Sequence, residues 1–412
     1  MSPKLRLAIA AFSTAVVFYV ALGTFPLGRV LGDTTYGQLA LFNEVIRIVL
    51  DNYVEAVDID RAMSGAKLGL TEALDGDSAY LDAQELAAYQ QASKEQGEVG
   101  LVLARRFSFL IVTAVRTGSP AEKAGLRPGD VIKYMDGRHS RTLTYPVAER
   151  MLRGAPGSVL KLQLLRAQND VTDLELVRER LPHLPPQNRM LEDGIGYLKI
   201  AEFTDETADE VRTALDSLKR SGAKRLALDL RGGAHGEARN AIAVAALFLK
   251  DGVVTKLVSR HGAEQPFKAG GSTALWDLPM AVLVNSSTAG PGEILAAALV
   301  DSGRGTLIGE RTLGRAAVQK VVPVADGALV LTVGKYVSPK GTEIHGKGLE
   351  PKVVVEARDE LDEDIPAGGA VPDDVLLKAI EILKTEERKA ADLGAGPRRD
   401  RSTAATTIEA FA

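Results

Sequence analysis

The sequence predicts a mixed α/β protein in three parts: a helical N-terminal module, a small β-rich domain, and an α/β core around a mainly parallel sheet. Three patterns predict it. Apolar residues recur at three- and four-residue steps from Tyr36 to about Gln91, short β-rich runs with turn punctuation fill 97–180, and apolar strands alternate with helical stretches from Gly194 to about Val355. A length of 412 residues, 45% of them hydrophobic and 25% charged, suits two or three globular domains. The expected boundaries are 1–32 for a membrane anchor or signal peptide and 33–95 for the helical module. The β-rich domain then takes 96–180, the core 181–357, and an acidic linker, one helix and a tail 358–412.

At the N-terminus, Lys4 and Arg6 precede an uncharged, mostly apolar stretch from Leu7 to Gly28, about the ~20 residues a membrane-spanning helix needs. Positive charge on the short leading flank keeps that end in the cytoplasm and places everything after Arg29 outside the inner membrane. A cleaved signal peptide, with Ala21-Leu22-Gly23 as its small-residue site, is the competing reading. Length favours the uncleaved anchor. Either way the chain is expected to be exported, facing the periplasm or cell exterior.

In the helical module Leu39, Phe42, Val45, Ile46, Val49 and Tyr53 keep helical spacing, as do Met63, Ala66, Leu70 and Leu74. Its closing segment LDGDSAYLD (74–82) reads as a turn, because glycine and aspartate favour tight turns and serine can cap the next helix. In the β-rich domain GLVLA (100–104), FLIVTAV (109–115), DVIKYMDG (130–137) and VLKLQLLR (159–166) read as strands. In the core GYLKI (196–200), RLALDL (225–230) and MAVLVN (280–285) read as strands, with helices over 205–219, about 238–249 and from Glu293. A hairpin is expected at Asp326-Gly327, and one helix near 373–393. The tail beyond it has few large apolar residues, a composition that predicts disorder.

Composition excludes several functions. Fifty basic against 54 acidic residues leave a net charge of -4, so nothing in the charge balance points to nucleic acid. Without cysteine there is no disulfide, thiolate metal site or cysteine nucleophile. Five scattered histidines, none in an HExxH spacing, offer no metal site, and no cofactor is expected. In a parallel sheet ligands bind at the carboxyl ends of strands, which directs attention to the loops DLRGGAHG (229–236) and NSSTAGPGE (285–293).

Within the β-rich domain, GSPAEKAGLRPGDVI (118–132) combines a short helix from Pro120, a glycine stop at Gly125 and a Pro128-Gly129 turn into a strand. This string resembles the signature of bacterial PDZ domains. The resemblance implies that an extended peptide adds beside a strand, its terminal carboxylate held by backbone N–H groups of a glycine-containing loop. By position the loop is Glu98-Val99-Gly100-Leu101, with Val102 and Leu103 on the strand and a helix around Pro146–Leu152 as the opposite wall.

The core carries more specific motifs. Val284-Asn285-Ser286-Ser287-Thr288-Ala289-Gly290-Pro291-Gly292-Glu293-Ile294 aligns without a gap on VNGGSASASEI, and 309–319 (GERTLGRAAVQ) on GERTFGKGSVQ. Downstream, Tyr336-Val337-Ser338-Pro339 and 346–351 (GKGLEP) match YYTPSG and GKGIEP. These segments resemble the carboxyl-terminal processing (tail-specific) serine proteases, and the resemblance spans roughly 36–355. It implies a core of the ClpP/crotonase-like type, a serine nucleophile, and an uncharged lysine as its general base.

At the matched positions this chain holds Gly290 for the nucleophile and Arg315 for the base. Glycine has no side chain to acylate, and a guanidinium stays protonated at any physiological pH. Pro291 replaces the residue whose N–H helps form the oxyanion hole, and proline has none. The family's DLRNNPGG reads DLRGGAHG, with Gly236 alone in register. Gln319, which orients the lysine in many members, is present.

The expectation is therefore an exported, catalytically inactive homologue. It would bind peptides or protein tails through Val99, Gly100, Leu101, Val102 and Leu103 and through a vestigial cleft. Its candidate partners are such tails, an active protease that it scaffolds or regulates, and the inner membrane through the N-terminal segment; a homo-oligomer is compatible with the sequence. The alternative is a serine-type endopeptidase with a rebuilt site, Ser287 or Thr288 paired with His235. Lys320 is no substitute base, because one residue along a strand turns its side chain to the other face.

Overall fold

Strands whose residues are apolar at every position need cover on both faces, and the computed structural model supplies it. The structure describes residues 29–92, 96–106, 109–166, 171–270, 274–356 and 372–394. The core sheet has six strands in the order Gln187–Met190, Ile195–Lys199, Arg225–Asp229, Met280–Val284, Thr306–Gly309 and Val353–Val354. The first pair is antiparallel and the rest are parallel. Leu226, Leu228, Val282 and Val284 face one way, packing with Leu215, Leu295 and Leu299 from the helices Thr207–Arg220 and Pro291–Asp301 and with Phe248 from the turn after the helix Ala238–Ala245. The intervening Ala227, Ala281 and Leu283 face the other way, under Val375, Leu376, Ala379 and Leu383 of the helix Asp374–Gly394. Both central strands are wholly buried, which explains why they show no polar alternation.

That C-terminal helix is clasped at its start. The Arg231 guanidinium, just past the strand Arg225–Asp229, donates to both carboxylate oxygens of Asp373 (2.7 and 2.8 Å) and to Asp229, while Asp373 accepts from the Leu376 N–H as helix cap.

The β-rich domain is a sheet in the order Leu101–Arg106, Phe109–Val115, Val131–Met135, Val159–Leu165, Val171–Val177. Leu101–Arg106 lies at its edge. The short helix Pro120–Lys123 starts as its sequence dictates, with the Ser119 hydroxyl accepting from the Glu122 N–H and proline in the first turn. Across from the edge strand lies the helix Tyr145–Met151, close to the expected bounds.

One segment departs from expectation. Of the stretch read as a turn at 74–82, Ala79–Asp82 is a strand, paired antiparallel with Gly327–Val337 in a second sheet with Val253–Val258, Gln265–Lys268 and Ala317–Val324. Ala79 and Leu81 are fully buried there. Local turn chemistry was outweighed by a partner strand some 250 residues away in sequence, which no local window contains. Asp75 does form the expected turn, its carboxylate accepting from the N–H groups of Asp77 and Ser78.

The chain divides into two compact units, 1–67 and 68–412. The first contains the helix Arg29–Asn52 and most of Ile59–Glu72. Among the described residues no helix is long and apolar enough to cross a membrane. The apolar stretch 7–28, most of the acidic linker and the tail from 395 onward lie outside the described residues.

Candidate functional site

The two loops singled out from the sequence meet at the carboxyl ends of the strands. Asn285 joins them: its side-chain oxygen accepts from the Ser287 N–H (3.2 Å) and from the Gly232 N–H (3.3 Å) of the neighbouring loop. The chain then turns into the helix Pro291–Asp301 through Gly290, whose φ of 48° and ψ of -108° suit glycine and strain any L-residue. A Cβ on Gly292 would overlap the Gly233 carbonyl oxygen, so the helix start and the 232–236 loop touch backbone to backbone. The Ala289 N–H donates to that same carbonyl (3.4 Å). The 232–236 loop thus turns a carbonyl acceptor toward the helix start.

Glu293 binds the site's two halves together. It is fully buried, and its carboxylate accepts from the N–H groups of Gly290 (3.0 Å), Gly314 (2.7 Å) and Arg315 (2.8 Å) and from the Thr312 hydroxyl. Burial raises its pKa, and these donors pull against that rise. The positions matched to nucleophile and base are therefore fixed to each other through one carboxylate, at a residue that the sequence marked only as the start of a helix.

Arg315 reaches out of this frame toward the small domain. Its guanidinium lies over the Tyr145 ring at 4.0 Å from the centroid and donates to the Tyr145 hydroxyl. It pairs with Asp77 (3.3 Å) and more loosely with Glu149 (3.7 Å). Burial works to lower its pKa, but Tyr145, Asp77 and Glu149 outweigh that and the net shift is upward, so it stays a cation. Tyr145 is pushed up by burial and stays neutral. Gln319 donates to the Thr332 hydroxyl (3.3 Å) and not to Arg315.

Gly290, Pro291 and Arg315 line a cavity of about 210 Å³, and so do Gly100, Leu101 and Val102 of the edge strand and its loop. Tyr145, Glu149 and Leu152 from the facing helix close it. The groove expected to take a peptide and the cleft expected to be vestigial are thus one space. Of the five residues expected to contact peptide, Val99, Leu101 and Leu103 turn their side chains into the small domain's core, Leu101 also reaching the cavity; along the edge strand alternation sends 101 and 103 inward.

The rebuilt nucleophile does not assemble in this structure. The Ser287 hydroxyl donates to the Thr113 carbonyl and the Thr288 hydroxyl to the Leu230 carbonyl (2.9 Å), and both residues are buried. His235 lines the cavity with Gly236, but its ring makes no hydrogen bond to any described residue. Burial lowers its pKa more than the nearby Glu98 and Glu202 raise it. Among the described residues no group of His, Asp or Glu could hold a metal ion. Asp77 and Tyr145 are the site residues that the sequence did not reveal; Asp77 was read as part of a turn, and nothing local tied it to position 315.

Residues 194–355 match the model of peptidase family S41, and 111–166 a PDZ domain model. The carboxy-terminal processing protease CtpA of Bacillus subtilis is 31% identical over 354 residues, 85% of this chain and 76% of that protein. The chain belongs to the carboxyl-terminal processing protease family. The carboxyl-terminal-processing protease of a Synechocystis species is 37% identical over 253 residues, 60% of this chain and 59% of the relative. Among solved structures, the photosystem II D1 C-terminal processing protease superposes with a TM-score of 0.62 at 29% identity, covering 74% of this chain and 84% of that one. Membership sets the segments around Gly290 and Arg315 within a serine peptidase frame and not within an unrelated α/β fold.

Proposed function

We propose that this family member has exchanged proteolysis for binding, and that it holds polypeptide tails in the cavity shared by its PDZ groove and the former cleft. The observation that carries the reading is Arg315: a permanently charged guanidinium, held by Tyr145, Asp77 and Glu149, stands where a proton acceptor would be needed, opposite a glycine. Neither of the two hydroxyls expected as a replacement is available, since those of Ser287 and Thr288 are committed to carbonyls. The apolar segment 7–28 behind Lys4 and Arg6 supports an exported protein anchored at the inner membrane. An active protease is a candidate partner in that compartment.

The test has two arms. The purified chain is incubated with unfolded β-casein, and fluorescent peptides with free or amidated C-termini are titrated into it. Intact casein, with the free acid bound in preference to the amide, is expected. Casein cleavage that disappears on Ser287→Ala or Thr288→Ala would instead establish a rearranged protease.

A further inference from the structure

A peptide strand entering the small domain would run between the edge strand Leu101–Arg106 and the helix Tyr145–Met151. Tyr145 and Glu149 are one helical turn apart and, with Leu152, form the helix side of the cavity facing Gly100, Leu101 and Val102. Both are taken by the same residue of the core. Arg315 stacks on the Tyr145 ring, donates to its hydroxyl and pairs with Glu149, while its Nε pairs with Asp77. A single side chain therefore joins three segments distant in sequence: the loop that leads into the strand Ala317–Val324, the groove helix, and the turn before the strand Ala79–Asp82. The space, open to solvent on one side, has a volume of about 210 Å³, below the ~300–1,000 Å³ usual for ligand pockets.

We infer that Arg315 is a bolt that holds the groove helix closed against the core, so that a bound tail must first displace Arg315 from Tyr145 and Glu149. The device uses what distinguishes arginine from lysine, a flat fork with five donors that can stack on one partner and pair with two more. Its weakest contact is the one a ligand would meet, since Glu149 stands 3.7 Å away with a half-exposed side chain, whereas Asp77 is buried. With two carboxylates already facing the guanidinium, an incoming terminal carboxylate is repelled until Glu149 swings away. The domain is also tied to the core at Ser287 to Thr113 and at Arg116 to Glu202, and the helix packs Val147 and Ala148 into the small domain, so releasing Arg315 loosens the cleft side of the groove helix without undocking the domain. On its far flank the helix is held by Arg150, which stacks on Tyr89 at 4.5 Å.

The ligand part of this inference rests on the tail-binding reading; the bolt itself does not, and the experiment separates them. Amide hydrogen exchange over 145–151 is compared in the ligand-free wild-type chain and in Arg315→Gln, with the strand Met280–Val284 as folding control. Affinity for a free-acid peptide is then measured for both. Faster exchange confined to the groove helix is expected, with peptide affinity raised by roughly 5- to 150-fold, the span of typical coupling between sites. Unchanged exchange over 145–151 overturns the bolt. Weakened peptide binding overturns it too, and would make Arg315 an anchor for the ligand's carboxylate. Loosened exchange with no peptide bound by either protein leaves the bolt standing and removes the tail-binding reading. Should Arg315→Gln also lose protection in the control strand, Tyr145→Leu with Glu149→Ala, which remove the ring, the hydroxyl and the carboxylate that receive Arg315 and leave the bolt, provide the same comparison.

Discussion

Restoring the family's two catalytic residues, Gly290→Ser with Arg315→Lys, should not restore the family's activity, and the structure gives three separate reasons. Serine at position 290 must adopt φ near 48° at a cost of about 1–2 kcal/mol, although its Cβ has room, the nearest atom being the Arg315 carbonyl oxygen at 3.4 Å. Pro291 withholds an oxyanion donor, worth on the order of 100- to 1,000-fold in rate. A lysine at 315 would then sit beside Asp77 and Glu149, which lie 3.3 and 3.7 Å from the present guanidinium. With an unperturbed pKa near 10.4, roughly 0.4% of lysine is neutral at pH 8, and each nearby carboxylate lowers that fraction further. The donor loss and the protonation together predict a double mutant on the order of 10,000-fold or more below an active relative assayed beside it on a fluorogenic peptide. Adding Pro291→Ala, Asp77→Asn and Glu149→Gln should recover activity in steps. A double mutant within about ten-fold of the active relative would refute both the proline argument and the charge argument.

Glu293→Gln keeps the shape but puts an amide N–H₂ against four donors, so one or more N–H groups are left buried and unpaired. A loss of about 1–3 kcal/mol, read as a lowered midpoint in thermal or urea unfolding, is expected. Ser287→Ala should cost about 1 kcal/mol and quicken amide exchange in 109–115, because it unties the Thr113 carbonyl. Asp373→Asn weakens the clasp on the C-terminal helix, by about 1 kcal/mol at neutral pH after allowing for solvent screening at a partly exposed side chain. Burial would raise the Asp373 pKa, but Arg231 and the Leu376 N–H bring it below the usual aspartate value. A depressed folded pKa means that the stabilisation is complete above about pH 4, the unfolded value, and is lost as pH falls through the folded one. Wild type and Asp373→Asn should therefore converge in urea midpoint below pH 4; a gap that persists at pH 2–3 would assign the loss to packing.

Much of this site was legible before folding because its motifs are local. The 284–294 and 309–319 segments each carry their own register, and glycine, proline and arginine at 290, 291 and 315 state their chemistry without coordinates. The elements of the core sheet were legible for a related reason: strands buried on both faces are continuously apolar, and the helices between them keep a 3.6-residue period. Asp77 was not legible. In the turn Asp75–Ser78 an aspartate is ordinary, and its pairing with Arg315 exists only because Ala79–Asp82 joins the strand Gly327–Val337. The same holds for the split among the five peptide-loop residues, where the exact strand register decides that Leu103 turns inward and Val102 toward the cavity.

The sequence by itself determined the family, the order of its PDZ and peptidase segments, and the glycine and arginine at 290 and 315, because those are properties of residue type and short-range spacing. Only the tertiary structure decided that the groove and the cleft are one cavity, that the hydroxyls of 287 and 288 are spent on backbone carbonyls, and that Arg315 spans to Tyr145 and Glu149. The reason is distance along the chain. Position 315 lies about 170 residues from Tyr145 and about 240 from Asp77, and contacts of that separation are set by how whole sheets pack, which no local pattern encodes.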